Sequence, residues 1–159
     1  MRQITRDDSQ FGVIKIDSAM GAIVLDREAE TETVELKLTM NTSSIDFGHE
    51  KMNEHAMASD IPDVQSFPNA TYSGALVKFM DDRPTAVEGN LALHGVTKPV
   101  NLDINRFKCM EHNRTKKEVC GTDATASFNR DDFDITLGKN DGFLMYVNLM
   151  ISIEADIAD

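Results

Sequence analysis

The sequence of 159 residues lacks tryptophan, has only two cysteines and has no apolar run near the ~20 residues that a membrane-spanning helix needs. Residues 1–8 also lack the apolar stretch of a secretory signal peptide, so we expect no signal segment in the chain as given. Lysine and arginine number 16 against 27 aspartates and glutamates, which gives a formal net charge of −11. Because binding to nucleic-acid backbones depends on clustered cations, this balance argues against a nucleic-acid partner. The length fits a single domain over residues 1–159 without a transmembrane segment.

An alternation of apolar and polar residues with a period of two is the main pattern in the sequence. In Val34–Asn41 it places Val34, Leu36, Leu38 and Met40 on one face, as in a half-buried β-strand. A sheet with one apolar face must close on itself or pack against a second sheet, so the pattern predicts an all-β barrel or sandwich. The same alternation predicts further strands over residues 21–26, 69–78, 86–93, 100–107, 122–128 and 144–154.

A helical pattern is found over residues 46–60, and we expect so short a helix to lie across one end of the β-structure. The interior of the sheet is harder to predict. Small residues within the strand patterns favour a cavity, namely Gly74, Gly89, Ala124 and Ala126. Glycine in a strand more often marks a bulge or a bend, however, so the pattern alone leaves the interior either filled or hollow.

The two cysteines flank a polar loop between two predicted strands. If these strands form a hairpin, Cys109 and Cys120 lie across from each other at the base of the loop, where a disulfide forms easily. A structural disulfide would indicate an oxidising compartment such as the bacterial periplasm. Two reduced thiols are one alternative, and a zinc site that adds His112 is another. The zinc alternative lacks an evident fourth ligand and the usual close cysteine spacing.

Sequence patterns of catalysis are missing. Nucleophile elbows, phosphate loops and dinucleotide fingerprints do not occur, and His49 and His55 are too far apart to place two zinc ligands on one helical face. The acidic run at residues 131–134 does not match a calcium loop and is typical of a solvated turn. We therefore expect no catalytic residue, no metal and no cofactor. His94 is interpreted as a turn residue bonded to nearby backbone, with contact to a ligand headgroup as the alternative.

Four segments, read in order, resemble the successive signatures of the YceI-like family. They are residues 42–55, 63–72, 89–100 and 124–133, and the Leu-His-Gly-Val-Thr-Lys-Pro sequence of residues 93–99 is the most specific. The resemblance implies a lipocalin-like, eight-stranded antiparallel barrel whose long pocket holds a polyisoprenoid or a related long-chain amphiphile, in a periplasmic protein. The cysteine hairpin resembles a proteobacterial branch of the family, which supports the disulfide independently of the loop argument.

Two departures from the family pattern concern the barrel. The chain has no recognisable counterpart of the family's first strand, so we expect an incomplete barrel, with either a gap at that edge or a homodimer in which a neighbouring molecule fills it. Residues 58–62 also stand where the family tends to have an aromatic pair after the aspartate, which alters the predicted mouth of the pocket.

Our functional hypothesis is a periplasmic carrier or sequestering protein, not an enzyme, for a long-chain isoprenoid or a quinone-like lipid. A lipid-modifying enzyme that uses the same pocket is one alternative, and a filled barrel that acts through protein contacts in envelope stress is another. His94 is the candidate headgroup contact. The predicted wall of the pocket consists of inward-facing apolar residues of the strands and loops, namely Leu36, Leu38, Phe67, Tyr72, Leu91, Leu93, Phe107, Phe128, Phe143 and Met145.

Overall fold

The computed structural model of the chain describes residues 2–6, 11–16, 19–24, 34–46, 50–57, 63–81 and 83–156. Strands dominate these ranges, as the alternating sequence predicts. The strands are β1 (Arg2–Arg6), β2 (Phe11–Ile16), β3 (Ala19–Val24), β4 (Val34–Asn41), β5 (Ile45–Asp46), β6 (Asn69–Met80), β7 (Arg83–Leu93), β8 (Val96–Pro99), β9 (Leu102–Glu111), β10 (Glu118–Asn129) and β11 (Tyr146–Asp156).

The described strands form one antiparallel sheet in the order β3-β4-β6-β7-β9-β10-β11-β1-β2-β5, and the short β8 pairs with β7. The sheet curls into a half-barrel, which confirms the predicted all-β, barrel-like fold. The family resemblance implies eight strands, whereas the described sheet has eleven segments. Short segments such as β5 and β8 add to this count. Among the described residues no pairing joins β3 to β5, the two ends of the sheet.

The expected gap at the first strand is not found beside β11. Instead β1 pairs with β11, with Arg2 opposite Met150 and Ile4 opposite Asn148. This strand was not predicted from the sequence, because its residues do not alternate between apolar and polar and do not resemble the family's first strand. β1 fills this edge of β11 within the chain, but the sheet stays an open half-barrel, as the expected incomplete barrel requires. The homodimer stays a prediction.

One α-helix, α1, spans Glu50–Met57 and is shorter than the predicted range of 46–60. Asp46 belongs to β5, and its carboxylate accepts a hydrogen bond of 2.9 Å from the Asn53 side-chain amide. Residues 58–62 and His49, on which two of the sequence arguments depended, lie outside the described residues. No helix within the described ranges is long and apolar enough to cross a bilayer.

A single cluster of buried side chains lines the inner face of the curled sheet. Further apolar residues that are only partly buried, such as Leu38, Leu93 and Ile153, pack against the cluster. Its members come from β4, β6, β7, β9, β10 and β11 and from the loops at one end, namely Leu36, Met40, Ala70, Tyr72, Leu76, Val87, Leu91, Val100, Leu102, Ala124, Ala126, Phe133, Ile135, Val147, Leu149 and Ile151.

Candidate binding cavity

A small cavity lies inside the sheet, toward the end where β9 and β10 are joined. We call this end the hairpin end. The cavity has a volume of about 30 Å³. Its walls are the inward-facing side chains of six strands, namely Leu36, Leu76, Val87, Leu102, Ile104, Phe107, Thr122, Ala124, Ile151 and Ile153.

A bulge in the β9–β10 pair shapes the wall of this cavity. The register shifts between Asp123 and Ala124, so that Ile104 pairs with Ala124 while Phe107 pairs with Thr122. Residues three apart on a regular strand point to opposite faces, but the extra residue at the bulge brings Ile104 and Phe107 to the same side. The methyl group of Ala124, between Ile104 and Ile151 in the neighbouring strands, leaves room for the cavity.

Thr122 is the one residue with a polar side chain among those that line the cavity. Its hydroxyl donates a hydrogen bond of 3.0 Å to the backbone carbonyl of Arg106. The hydroxyl is therefore satisfied within the protein and does not require a ligand or a water molecule as a partner. The cavity is suited to hydrocarbon.

The cavity is far smaller than a pocket for a whole lipid. A volume of about 30 Å³ is what one water molecule occupies in liquid water, whereas pockets for small ligands occupy roughly 300 to 1,000 Å³. The side chains of the buried cluster occupy the inner face of the sheet around the cavity. A long-chain ligand therefore requires the interior to expand.

Tyr72 accounts for part of this filling. A side chain at Gly89 would collide with the Tyr72 ring, so the glycine is needed to admit the ring and does not leave a hollow. The Tyr72 hydroxyl donates to the carbonyl of Val100 at 2.9 Å. Burial raises the pKa of Tyr72 to about 12, because the phenolate would lose its hydration.

The opposite end of the half-barrel, which we call the closed end, is capped by the turn Arg130–Phe133. Phe133 is 1% exposed and stacks edge-on against Phe128, with 5.1 Å between the ring centroids. The carbonyl of Phe133 accepts a hydrogen bond of 3.1 Å from His94 Nδ1. His94 thus acts in this structure as a turn residue bonded to backbone, as the sequence favoured, and its contact with a headgroup stays a prediction.

Arg130 fixes the loop that follows this cap. Its guanidinium donates to the carbonyls of Leu137 at 2.6 Å, Ile135 at 3.3 Å and Leu144 at 3.4 Å. Burial lowers the pKa of Arg130, because the cation is removed from water. Gly138 and Gly142 have φ values of 75° and 84°, and the loop they bend carries Phe143 to the surface, where it is 64% exposed.

The predicted wall residues are found in several environments. Leu36 and Phe107 line the cavity. Tyr72 and Leu91 are in the buried cluster, and Leu38, Leu93 and Phe128 pack against it. Phe67 is half-buried and stacks edge-on against His94. Met145 is half-buried and its carbonyl accepts from the Arg130 amide, while Phe143 faces the surface and not the interior.

The predicted wall omits eight of the ten residues that line the cavity, which include Ile104, Ile151 and Ile153; Ala124, another of the eight, was predicted only as a small residue that favours a cavity. Ile151 and Ile153 follow the alternation of β11 and could have been found from it. Ile104 could not, because the bulge interrupts the alternation of β9 at that point.

The disulfide predicted from the hairpin is present. Cys109 and Cys120 pair directly across β9 and β10, and their sulfur atoms are 2.02 Å apart. They lie two residues along each strand from the Phe107–Thr122 pair and on the same face, so the bond joins the two strands just beyond the cavity. His112, proposed as a zinc ligand, instead accepts a hydrogen bond at Nδ1 from the Thr115 amide at 3.1 Å.

Comparison with known proteins gives the same family as the sequence motifs. The profile of the YceI-like domain matches residues 9–158 of this chain. The chain belongs to the YceI-like family.

Among curated relatives of this YceI-like chain, a UPF0312 protein of Pseudomonas putida is 32% identical over 111 residues, which are 67% of this chain and 55% of the relative. Protein YceI of Salmonella newport is 32% identical over 119 residues, 75% of this chain and 61% of the relative. The chain thus spans less than two thirds of the length of these relatives.

Solved structures show the same YceI-like fold. The Campylobacter jejuni YceI protein matches with a TM-score of 0.73 at 18% identity, over 92% of this chain and 85% of its own. Burkholderia cenocepacia BcnA matches with a TM-score of 0.74 at 15% identity, over 97% and 94% of the two chains. A Saccharophagus degradans domain described as polyisoprenoid-binding matches with a TM-score of 0.67 at 13% identity, over 99% and 92%.

Proposed function

We propose that this YceI-like protein binds a long-chain isoprenoid or a related amphiphilic lipid in the interior of its half-barrel, as a carrier or a sequestering protein. The observation that carries the proposal is the cavity at the hairpin end, whose lining is apolar apart from the satisfied Thr122. The family and the polyisoprenoid-binding description of one structural relative support a lipid as the ligand.

The free energy of binding would come from burial of the lipid tail, at about 0.8 kcal/mol for each methylene group. The cavity accepts only a small part of such a tail, so the half-buried side chains around it must move. Ile104, Phe107 and Ile153 line the cavity and are each only partly buried. We therefore expect the interior to expand at the hairpin end.

The direct test is to extract protein from its native host with organic solvent and to identify co-purified lipids by mass spectrometry. We expect a long-chain isoprenoid at a stoichiometry near one for each chain. Delipidated protein should then take up a polyprenol from detergent solution. Recovery of no long-chain lipid together with failure of uptake would overturn the proposal.

A matched pair of substitutions tests where the lipid lies. Ala124→Leu places three extra carbon atoms in the cavity, whereas Ala75→Leu makes the same change at a position opposite the exposed Glu88, on the outer face of β6. We expect Ala124→Leu to weaken polyprenol uptake at least about tenfold, because overfilling a packed interior costs roughly 1 to 3 kcal/mol. Ala75→Leu should bind as the unchanged protein does. Equal uptake by both variants would place the lipid elsewhere.

The small volume of the cavity favours one other candidate function, a filled barrel that acts through protein contacts. The exposed apolar side chains of Phe143, Leu144 and Tyr146 offer a surface for such contacts. The uptake experiment distinguishes the two functions. A filled barrel takes up no polyprenol, so Ala124→Leu has no uptake to weaken.

We propose binding without chemical change of the ligand. Among the described residues, His94 donates to the Phe133 carbonyl and the Tyr72 hydroxyl donates to the Val100 carbonyl, so both groups make structural hydrogen bonds to the backbone. Recovery of a bound lipid in altered form after incubation would indicate an enzyme.

We also propose the periplasm as the compartment, which the Cys109–Cys120 disulfide supports. Fractionation of the native host would test it.

A further inference from the structure

The hairpin end holds a group of potential metal ligands that the binding function does not use. Cys109, Cys120 and Glu118 each offer a ligand atom, and these atoms lie within 4.8 Å of one another. Cys120 is buried, and the other two residues are half-buried. We propose that reduction of the disulfide converts this group into a site for one thiophilic divalent cation such as zinc, held by the two thiolates and the Glu118 carboxylate.

The strand register explains why these three side chains converge. Cys109 and Cys120 stand directly opposite each other in β9 and β10. Glu118 precedes Cys120 by two residues on the same strand, so their side chains point to the same face. Directly opposite residues hold their Cβ atoms about 4.5 to 5.5 Å apart, which lets two thiolates reach one ion at Zn–S distances of about 2.3 Å.

Local charge favours a cation at this place. Glu118 stands directly opposite Glu111 in the strand pair, and like charges in opposite positions repel. Glu111 pairs with Lys116, whose Nζ lies 3.3 Å from its carboxylate. Reduction leaves two thiols beside the glutamates, and these thiols ionise when they bind a divalent cation, whose positive charge balances the two thiolates. Two sulfur ligands with one carboxylate suit zinc, and solvent would take the fourth position.

The disulfide and the metal site exclude each other, because the same sulfur atoms form both. A dithiol reductant transfers two electrons to the Cys109–Cys120 bond, becomes a cyclic disulfide itself and leaves two protein thiols. Each thiol then loses its proton to solvent when it binds the ion, so two protons are released for each zinc ion. The metal-bound state therefore belongs to reducing conditions and the disulfide to oxidising ones.

The test uses the full chain, reduced with dithiothreitol and freed of the reagent under nitrogen. Titration with Co²⁺ should give a sulfur-to-metal charge-transfer band that saturates at one ion for each chain. Zinc should displace the cobalt, and zinc added to the metal-free reduced protein should release two protons for each ion bound. The oxidised protein should show no such band. Absence of the band in the reduced protein, or reduced protein that is unfolded by circular dichroism and does not refold with zinc, would overturn the proposal.

A matched pair of glutamate substitutions tests the third ligand. Glu118→Gln should weaken zinc binding at least about tenfold, as measured against a chromophoric chelator. Glu111→Gln removes the same charge from the opposite strand but outside the ligand group, and should change the affinity less than about threefold, because exposed charges act weakly. Equal effects of the two variants would overturn the role of Glu118. The outcome does not depend on lipid binding, which is measured on the oxidised protein.

Discussion

The two ends of the half-barrel are stabilised in different ways. At the closed end, Phe133 is fully buried, His94 bonds its carbonyl, and Arg130 donates to three carbonyls of the following loop. At the hairpin end, one covalent bond joins Cys109 to Cys120, and the cavity lies beside it. Packed interiors resist deformation, whereas a void beside half-buried side chains gives room for movement. We infer that the closed end maintains the fold and that the hairpin end adapts to a ligand.

The largest effect should follow removal of the aromatic cap. Phe133→Ala should lower the free energy of unfolding by about 3 to 5 kcal/mol, because it deletes a fully buried ring and leaves a cavity against Phe128. Phe143→Ala deletes the same ring from an exposed position further along the chain, and should change stability by no more than about 0.5 kcal/mol. Urea denaturation measures both. Similar losses for the two variants would show that the closed end does not depend on Phe133.

A smaller loss should follow removal of the disulfide. The double variant Cys109→Ala and Cys120→Ala should be about 2 to 3 kcal/mol less stable in the presence of a chelator, since the bond closes a loop with a sequence separation of 11. Hydrogen exchange should rise at the amides of His112 and Lys116, which close the hairpin turn, and not at Ile135 in the closed end. Increased exchange at both ends alike would mean that the two ends are one cooperative unit.

Much of the fold could be predicted from local chemistry. The alternation of Val34–Asn41 matches β4 residue for residue, and the two cysteines pair as a hairpin requires. β1 could not be predicted, because its pairing with β11 depends on contacts between the two ends of the chain. Such pairings leave no periodic signal in a segment that lacks an apolar alternation.

The candidate site was harder to predict than the fold for two physical reasons. The bulge beside Ala124 changes which residues of β9 face inward, so alternation finds Phe107 and misses Ile104. Phe143 was predicted as an inward-facing residue of the wall, but the loop with left-handed turns at Gly138 and Gly142 carries it to the surface.

The smallest effect concerns Tyr72, whose ring lies between the two ends. Tyr72→Phe should cost about 1 kcal/mol at neutral pH, through loss of the hydrogen bond to the Val100 carbonyl. The pKa of Tyr72 is raised to about 12 in the folded protein, against roughly 10 for an unfolded chain. A raised pKa means that the folded state favours the neutral phenol, so this stabilisation is complete below about pH 10 and is lost as pH rises through about 12.

In a Tyr146→Phe background, Tyr72 is the single remaining tyrosine, and its absorbance titration reports the shift directly. The difference in unfolding free energy between that background and the same background with Tyr72→Phe should shrink as pH rises above 10, and a constant difference would show that the ring is not protected from water.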